Sequence, residues 1–215
     1  MTDYRTQAER DAADRFARET AKHQMTVLHD DGLHRHLRFA NPGSSLYWFE
    51  ITTTPGQLVF SGDGDSFVFR LAPDMFEMFR QSADSGAVNA SYWAEKVRTG
   101  NARSYSRERF EEYVEEQVAA AEPYYPGIRD DVQVEIFDDV VYDVNYEASA
   151  LMAALGYAYF LDPDQNPEGR KAFNFKYVHE WDLRDFDWWY LFACHAIVWG
   201  IAQYDAAKTT TAVAA

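Results

Sequence analysis

Two histidines and an arginine alternate along one predicted strand, where their spacing could serve a metal ion or an anion. His34, His36 and Arg38 project from one face of that strand and Leu37 from the other, because side chains alternate along a strand. Two histidines at this spacing can share a metal, but nothing in the spacing of the chain supplies the remaining ligands. We therefore predict no metal site. An anion could instead be held by Arg38 together with Arg70, if their strands are neighbours.

The nucleophilic residues of the sequence do not form a catalytic arrangement. Cys194 and His195 are adjacent on a predicted helix, so their side chains diverge. Both lie in the most apolar segment, where a cysteine behaves as a small unreactive hydrophobic residue. The Gly-x-Ser-x-Gly motif of hydrolases is missing from the sequence. We expect a protein that is not an enzyme, with an enzyme of unrecognised type as a further alternative, and we predict no cofactor.

A short run of glycine and aspartate, Gly62–Asp65, has the composition of a cation-binding loop. A calcium loop of the EF-hand type needs about 12 residues and a closing glutamate, whereas a phenylalanine-rich strand follows this run at once. A dinucleotide-binding motif would need a third glycine and a following helix. Because Asp-Gly between two strands is an ordinary signal for a tight turn, we predict a turn here.

One predicted helix carries glutamates opposite its apolar stripe. It begins after Ser106, a good N-cap, and ends before Pro123. Five of its glutamates form the acidic face that we predict binds a partner: Glu108, Glu111, Glu112, Glu115 and Glu116. Like charges four residues apart repel by about 0.2–0.5 kcal/mol, and a purely solubilising face would more often include lysines. Two interpretations stay open: a solubilising surface, or a surface complementary to a basic partner.

The distribution of charge favours the second interpretation. Residues 1–105 contain 14 Asp and Glu against 12 Lys and Arg, a net charge of −2. Residues 106–215 contain 21 against eight, a net charge of −13. Such a one-sided charge repels nucleic-acid backbones and attracts cationic partners. We therefore expect no direct binding of nucleic acid, and a protein partner with a basic surface.

A nucleotide ligand is the alternative to a protein partner. Aromatic side chains make up 16% of the chain, and their rings could stack on a base while arginine or lysine meets its phosphates. The candidate residues are Arg38, Tyr47, Trp48, Arg70, Tyr92, Trp93 and Lys96. The same rings could equally be packing residues of a sheet and a core.

Closely spaced turns predict an antiparallel β-meander in the N-terminal half. Four runs of aromatic and β-branched residues are the expected strands: Leu33–Phe39, Ser45–Thr53, Gln57–Ser61 and Ser66–Leu71. The connections between them are too short for parallel crossovers, which need about a dozen residues. The predicted fold class is therefore α+β, with this meander packed with a mostly helical C-terminal half.

Helical periodicity dominates the rest of the chain. We expect helices at Asn89–Arg98, Tyr146–Leu155 and Phe186–Tyr204 and a strand at Ala172–Val178, whereas residues 132–144 fit either a strand or a helix. The last helix is so uniformly apolar that its large residues should be buried: Trp188, Leu191, Phe192, Ile197, Val198 and Trp199.

The expected organisation is a single domain with two short extensions. Residues 1–28 form a leading helix or extension, and residues 206–215 a flexible tail. Residues 29–205 form one α+β domain with possible lobes at 29–105 and 106–205. The apolar run at 188–202 falls short of the roughly 20 residues of a membrane helix, and no secretory signal precedes it. We expect a soluble, cytoplasmic protein with no membrane partner, and the sequence leaves its oligomeric state open.

Three strings of the chain resemble small proteins encoded by tailed phages and prophages. They are Ser44–Arg70, Asn89–Val97 and His195–Asp205, and the similarity spans about residues 29–205. That family has no agreed activity, so the resemblance implies no catalytic residue. It implies a setting, the cytoplasm of an infected bacterium, where small phage proteins without enzymatic motifs often inactivate a host defence component. We therefore predict counter-defence, by inhibition of a basic, nucleic-acid-binding host protein through the acidic face.

Overall fold

The computed structural model describes residues 7–85, 88–138, 141–162, 164, 166 and 168–213. The chain divides into two compact units. We call Met1–Arg103 with Phe186–Ala215 the sheet unit, and Ser104–Asp185 the acidic unit. The first boundary lies close to the one expected near residue 105. The second expected lobe, 106–205, is instead split, because its last helix belongs with the sheet.

Most strands lie in the N-terminal half of the chain, and most helices lie in the C-terminal half. The strands are β1 (Gln24–Asp31), β2 (His34–Ala40), β3 (Phe49–Thr54), β4 (Gln57–Gly62), β5 (Phe67–Phe69), β6 (Val97–Thr99), β7 (Arg103–Tyr105) and β8 (Arg184–Phe186). The α-helices are α1 (Gln7–Thr20), α2 (Met75–Ser85), α3 (Ala90–Ala94), α4 (Arg107–Ala121), α5 (Ile128–Val132), α6 (Glu147–Gly156) and α7 (Trp188–Val213). The predicted α+β class is confirmed.

A six-stranded antiparallel sheet is the centre of the sheet unit. Its strands are hydrogen-bonded in the order β1 to β6, so the predicted meander is confirmed, and β7 and β8 form a separate two-stranded sheet. Phe39 pairs with Phe49 and Ile51 with Phe60, which places their side chains on one face. The inward residues of β2 to β5 are fully buried: Leu37, Phe39, Phe49, Ile51, Leu58, Phe60, Phe67 and Phe69.

Helix α7 covers this inward face. A Cβ added at Gly200 would lie 2.8 Å from Ile51 Cδ1 and 3.0 Å from the ring of Phe39. Glycine at this position therefore lets the helix backbone approach the sheet closely. Leu191 and Phe192 on the same helix are 1% exposed, which confirms the core position expected for them.

Three expectations about the sheet unit need correction. Trp188 is 44% exposed rather than buried, because it opens α7. Its ring contacts Trp189 and Phe192, and the guanidinium of Arg15 lies 3.9 Å from its centre. Val198 and Trp199 are only partly buried. Helix α7 also continues to Val213, past the point where we expected a flexible tail.

Two strands were missed at the edges of the sheet. β1 begins within the segment assigned to a leading extension, and it is almost wholly exposed on both faces. Because neither face is buried, no alternation of apolar residues marks it, and pairing with β2 defines it instead. β6 lies where a helix was expected at Asn89–Arg98, since α3 ends at Ala94 and the chain then pairs with β5.

Helices are the main regular elements of the acidic unit. Ser106 caps α4 as predicted, its Oγ accepting a hydrogen bond from the Arg109 amide at 3.2 Å. α5 continues into one π-helical turn at Gln133–Phe137, so the described start of the ambiguous segment 132–144 is helical. The strand expected at Ala172–Val178 is wrong. Phe173 forms an isolated bridge with Tyr159, because the rings of this segment pack into an aromatic cluster and not into a sheet.

Within the described ranges, no helix combines the length and the apolar character needed to cross a membrane.

Candidate partner-binding face

The acidic face of α4 is presented to solvent. The opposite side of the helix is fixed in the core by Phe110, Val114 and Val118, which are at most 2% exposed. The 3.6-residue period of the helix then places the intervening residues outward. All five predicted glutamates are exposed: Glu108, Glu111, Glu112, Glu115 and Glu116.

Arginines of the same unit relieve part of the repulsion on this face. Arg107 Nε donates to Glu111 at 2.7 Å, and Arg109 pairs with Glu112 at 3.0 Å. Both arginines belong to α4 itself. The face is therefore less repulsive than the i, i+4 spacing of its glutamates alone indicates.

Arg129 of α5 makes the most extensive pairing. Its guanidinium donates to both oxygens of Glu115, at 2.6 and 2.9 Å, and reaches Glu122 at 3.2 Å. The hydrogen bond from Arg129 holds the pKa of Glu115 below its ordinary value, so this carboxylate stays ionised. Two-point binding of this kind is the strongest geometry that a carboxylate offers to a guanidinium.

Two glutamates of the face keep free acceptor capacity. Among the residues that the structure describes, Glu108 accepts a hydrogen bond only from the hydroxyl of Ser106, at 3.0 Å. Glu116 has no ion pair or hydrogen bond with any residue that the structure describes. At these two carboxylates an incoming cation competes with no lysine or arginine of the described ranges.

A cavity of about 290 Å³ opens beside the glutamates, between α4 and the helical segment of α5 and the π-helical turn. Its lining includes Val114, Val118 and Val132, which are at most 3% exposed, and the two ion pairs Arg107–Glu111 and Arg129–Glu115. A partner's lysine or arginine that enters here competes with Arg107 and Arg129 for these two carboxylates. A π-helical turn in the wall is a feature that recurs at functional sites.

The charge asymmetry coincides with the division into units. The acidic unit contains 19 Asp and Glu against seven Lys and Arg, a net charge of −12. The sheet unit contains 16 against 13, a net charge of −3. The negative field therefore originates in the unit that carries the acidic face.

The residues of the alternative nucleotide site are not brought together. Trp93 is 1% exposed and packs edge-to-face on Phe79 in the core. Lys96 is paired with Glu95 and lies 4.3 Å from the centre of the Tyr92 ring. These residues are close to β6, whereas Tyr47 and Trp48 precede β3, and two strands separate β3 from β6.

The anion pair of Arg38 and Arg70 does not form either. Arg38 is on β2 and Arg70 follows β5, so β3 and β4 lie between their strands. Three strand spacings correspond to about 14 Å. Arg38 also donates to Glu50 at 2.5 Å and covers the ring of Trp48 at 4.5 Å. Its charge is therefore already paired.

Tyr47 lines a different cavity, of about 440 Å³, in the sheet unit. Arg15 also lines it, donating to the Tyr47 hydroxyl at 3.0 Å and stacking on Trp188. The cation that this aromatic and acidic lining favours is thus supplied by the chain itself.

The histidine strand has the predicted alternation. Arg35 and Leu37 are buried and His34 is exposed, while His36 Nε2 lies 2.7 Å from Glu50 Oε2. Among the described residues, no three His, Cys, Asp or Glu side chains gather in a way that could hold a metal ion.

The remaining chemical candidates have structural roles. Burial raises the pKa of the Cys194 thiol to about 12, so the thiolate needed for nucleophilic attack does not form near neutral pH. Gly62 is the last residue of β4, and residues 63–66 form the short connection to β5, so the run lies at a strand-to-strand connection as predicted, without a tight turn. A Cβ at Gly64 would lie 2.6 Å from the Trp189 ring, so close packing requires glycine there.

Sequence reasoning missed a buried ion pair in the sheet unit. Arg35, 8% exposed, donates to both oxygens of Asp74 at 2.8 and 3.0 Å and covers the ring of Phe76 at 4.5 Å. Burial raises the pKa of Asp74, but the hydrogen bonds from Arg35 and from the Phe76 amide outweigh it and leave the pKa below its ordinary value. The available signal was an arginine at an inward position of an alternating strand.

A comparison of the chain with protein-family models, with curated proteins and with solved structures finds no match in any of the three. The resemblance to phage and prophage proteins therefore stays a prediction.

Proposed function

We propose that the chain is a non-enzymatic binding protein that offers the acidic face of α4 to a partner protein with a basic surface. The observation that carries this proposal is the exposure of five glutamates on one helix face, beside a groove, in a unit of net charge −12. Like charges on one face cost stability, so their concentration there favours a role in binding.

The pairing of Arg129 supports the chemistry of this interface. Its bidentate contact with Glu115 is an intramolecular example of how the face holds a guanidinium. The arginines or lysines of a partner can pair with Glu108 and Glu116, and they can compete with Arg107 for Glu111. Long-range attraction by the whole unit speeds the encounter, and its strength falls as salt screens the charges.

The setting follows from the resemblance to phage and prophage proteins. In that setting the chain acts in the cytoplasm of the bacterial host, and its partner is a defence protein that binds nucleic acid. Such proteins carry basic patches that bind phosphates. An acidic surface that is bound to one of these patches excludes the nucleic acid. The chain itself does not bind DNA, because its charge has the same sign.

The test compares three forms of the protein. One variant removes four charges from the face: Glu111→Gln, Glu112→Gln, Glu115→Gln and Glu116→Gln. A matched control removes four exposed charges elsewhere in the acidic unit: Asp162→Asn, Asp164→Asn, Glu180→Gln and Asp182→Asn. Proteins captured from a bacterial lysate by the wild type are identified, and the dissociation constant of each is measured for all three forms at increasing salt.

We expect the face variant to bind at least tenfold more weakly and to lose most of the salt dependence, and the control to behave almost as wild type. Nucleic acid should compete with the wild type for the same partner. Equal affinity of both variants, or a wild-type affinity that is the same at low and high salt, would show that the face is only a solvated surface.

A further inference from the structure

A second groove in the acidic unit combines exposed aromatic rings with lysines. Its volume is about 590 Å³, and small-molecule sites typically span about 300–1,000 Å³. It lies beside the C-terminal end of α4 and the segment 171–177. The residues that give it its chemistry are Tyr124, Tyr125, Phe173, Tyr177, Lys171 and Lys176.

Among the described residues of the acidic unit, the two lysines are the cations without an ion pair. Each of its five arginines forms an ion pair: Arg107, Arg109, Arg129, Arg170 and Arg184. Lys171 and Lys176 form none with any residue in the described ranges, although the unit holds 19 acidic residues. Both lysines line the same groove, which makes it the part of the unit suited to an anion.

The rings in the groove leave faces open for stacking. Tyr177 is 68% exposed, and Tyr124 is 56% exposed although the guanidinium of Arg170 lies 5.1 Å from the centre of its ring. Tyr177 also has a φ of 56°, in the left-handed region where a residue with a bulky side chain is strained. Glycine or asparagine would hold this backbone with less strain, so the presence of a large exposed ring there favours a role beyond folding.

The lysine-bearing wall of the groove is held in place. The Gln117 side chain donates to the Lys176 carbonyl at 3.0 Å and accepts from the Lys176 amide at 2.8 Å. The Tyr125 hydroxyl donates to the Lys171 carbonyl at 3.1 Å. The groove is therefore formed before any ligand arrives, as is usual for small-molecule sites.

We infer that this groove binds a nucleoside phosphate, with the base stacked on the tyrosine rings and the phosphate held by Lys171 and Lys176. The rings supply sequence-tolerant stacking surfaces, and the ammonium groups supply charge-assisted hydrogen bonds. An uncharged aromatic ligand would leave both lysines unused, and free phosphate would leave the rings unused. The site shares no residue with the acidic face, so this inference and the proposed function can fail independently.

Calorimetric titration with AMP, GMP, CMP and UMP tests the inference, with adenosine and inorganic phosphate as the separate halves of the ligand. The first variant is Lys171→Gln with Lys176→Gln, and its charge-matched control is Lys22→Gln with Lys208→Gln in the sheet unit. The second variant is Tyr177→Gly, which removes the ring and also relieves the left-handed strain.

We expect at least one of the four nucleotides to bind at least tenfold more tightly than adenosine or phosphate. The groove lysine variant and Tyr177→Gly should each weaken that binding about tenfold or more, while the lysine control binds normally. Tyr177→Gly should melt no lower than wild type, which separates loss of binding from loss of folding. No binding of any of the four up to millimolar concentration overturns the inference, as does binding that either groove variant leaves unchanged.

Discussion

The two units of the chain are stabilised by different kinds of core. In the sheet unit the largest fully buried side chains are almost all rings, and Phe192 stacks on Trp189 with ring centres 4.7 Å apart. In the acidic unit the buried set is richer in small and aliphatic residues, such as Val114, Val118 and Ala150. Large rings bury more apolar area per residue, so single truncations should be most damaging in the sheet unit.

The units differ equally in how they place charge. The sheet unit buries its central ion pair, Arg35–Asp74, whereas the ion pairs of the acidic unit are solvent-exposed. Breaking a buried pair is costly because an uncompensated charge stays behind, and an exposed pair contributes about 0–1 kcal/mol. Charged residues on the acidic unit can therefore be selected for binding a partner, because changing them has little effect on folding.

The largest effect should follow from truncating a buried ring of the sheet unit. Phe192→Ala removes a 1%-exposed side chain that contacts Phe16 and Trp189, and it should lower the free energy of unfolding by about 3–5 kcal/mol. Trp188→Ala on the same helix is the control. That ring is 44% exposed, so its truncation should cost less, although it loses contacts with the rings of Trp189 and Phe192 as well as a cation–π contact with Arg15 of about 1 kcal/mol. Urea denaturation measures both. Equal losses would contradict the burial difference.

The next effect concerns the buried ion pair. Asp74→Asn leaves the buried guanidinium of Arg35 without its carboxylate, and the free energy of unfolding should fall by about 3 kcal/mol. The matched control is Asp205→Asn, which breaks a bidentate contact with Arg80 at a half-exposed site and should cost less than about 1 kcal/mol. If Asp205→Asn cost as much as Asp74→Asn, burial would not be what distinguishes the two pairs.

The contribution of Asp74 to stability should also depend on pH. The pKa of Asp74 lies below its ordinary value of 3.8, so the stabilisation that it provides is complete above that value and is lost as the pH falls through the lower folded-state pKa. Unfolding measured between about pH 5 and pH 2 should give a steeper loss of stability for wild type than for Asp74→Asn. Parallel curves for the two proteins would contradict the role of Asp74.

The sequence predicted the elements whose pattern repeats within the element itself. β2 to β5 alternate apolar and polar residues because one face is buried, and α4 has an apolar stripe and an N-cap. β1 could not be recognised, because an edge strand exposed on both faces leaves no periodic pattern. The aromatic run at 172–178 alternates like a strand, but its rings fill a local cluster.

The candidate sites, too, could be predicted only where their residues are close together in the sequence. The glutamates of α4 were recognisable because they share one helix face. Arg129 was not recognisable as their counterion, since it is 14 residues from Glu115 along the chain and only the turn between α4 and α5 brings the two together. The lysine and tyrosine groove likewise joins residues about 50 positions apart. Contacts of this length depend on tertiary packing, which one-dimensional spacing does not encode.

The smallest effect gives the sharpest test of the acidic face, because two adjacent glutamates should respond with opposite signs. Glu115→Gln removes the bidentate contact with Arg129 and should lower the free energy of unfolding by about 0.5 kcal/mol, as expected for an exposed pair. Glu116 has no partner among the described residues and stands four positions after Glu112, so Glu116→Gln should raise that free energy by about 0.3 kcal/mol by removing a repulsion.

Both differences should shrink toward zero in about 1 M salt, where the Debye length is about 3 Å. Thermal denaturation of the two variants at low and high salt, with replicate scans, resolves the sign. The same sign for both variants, or differences that persist at high salt, would mean that the exposed charges are coupled to folding. The exposed charges of the acidic unit would then contribute to folding, as the buried ion pair of the sheet unit does, and could not be selected for binding alone.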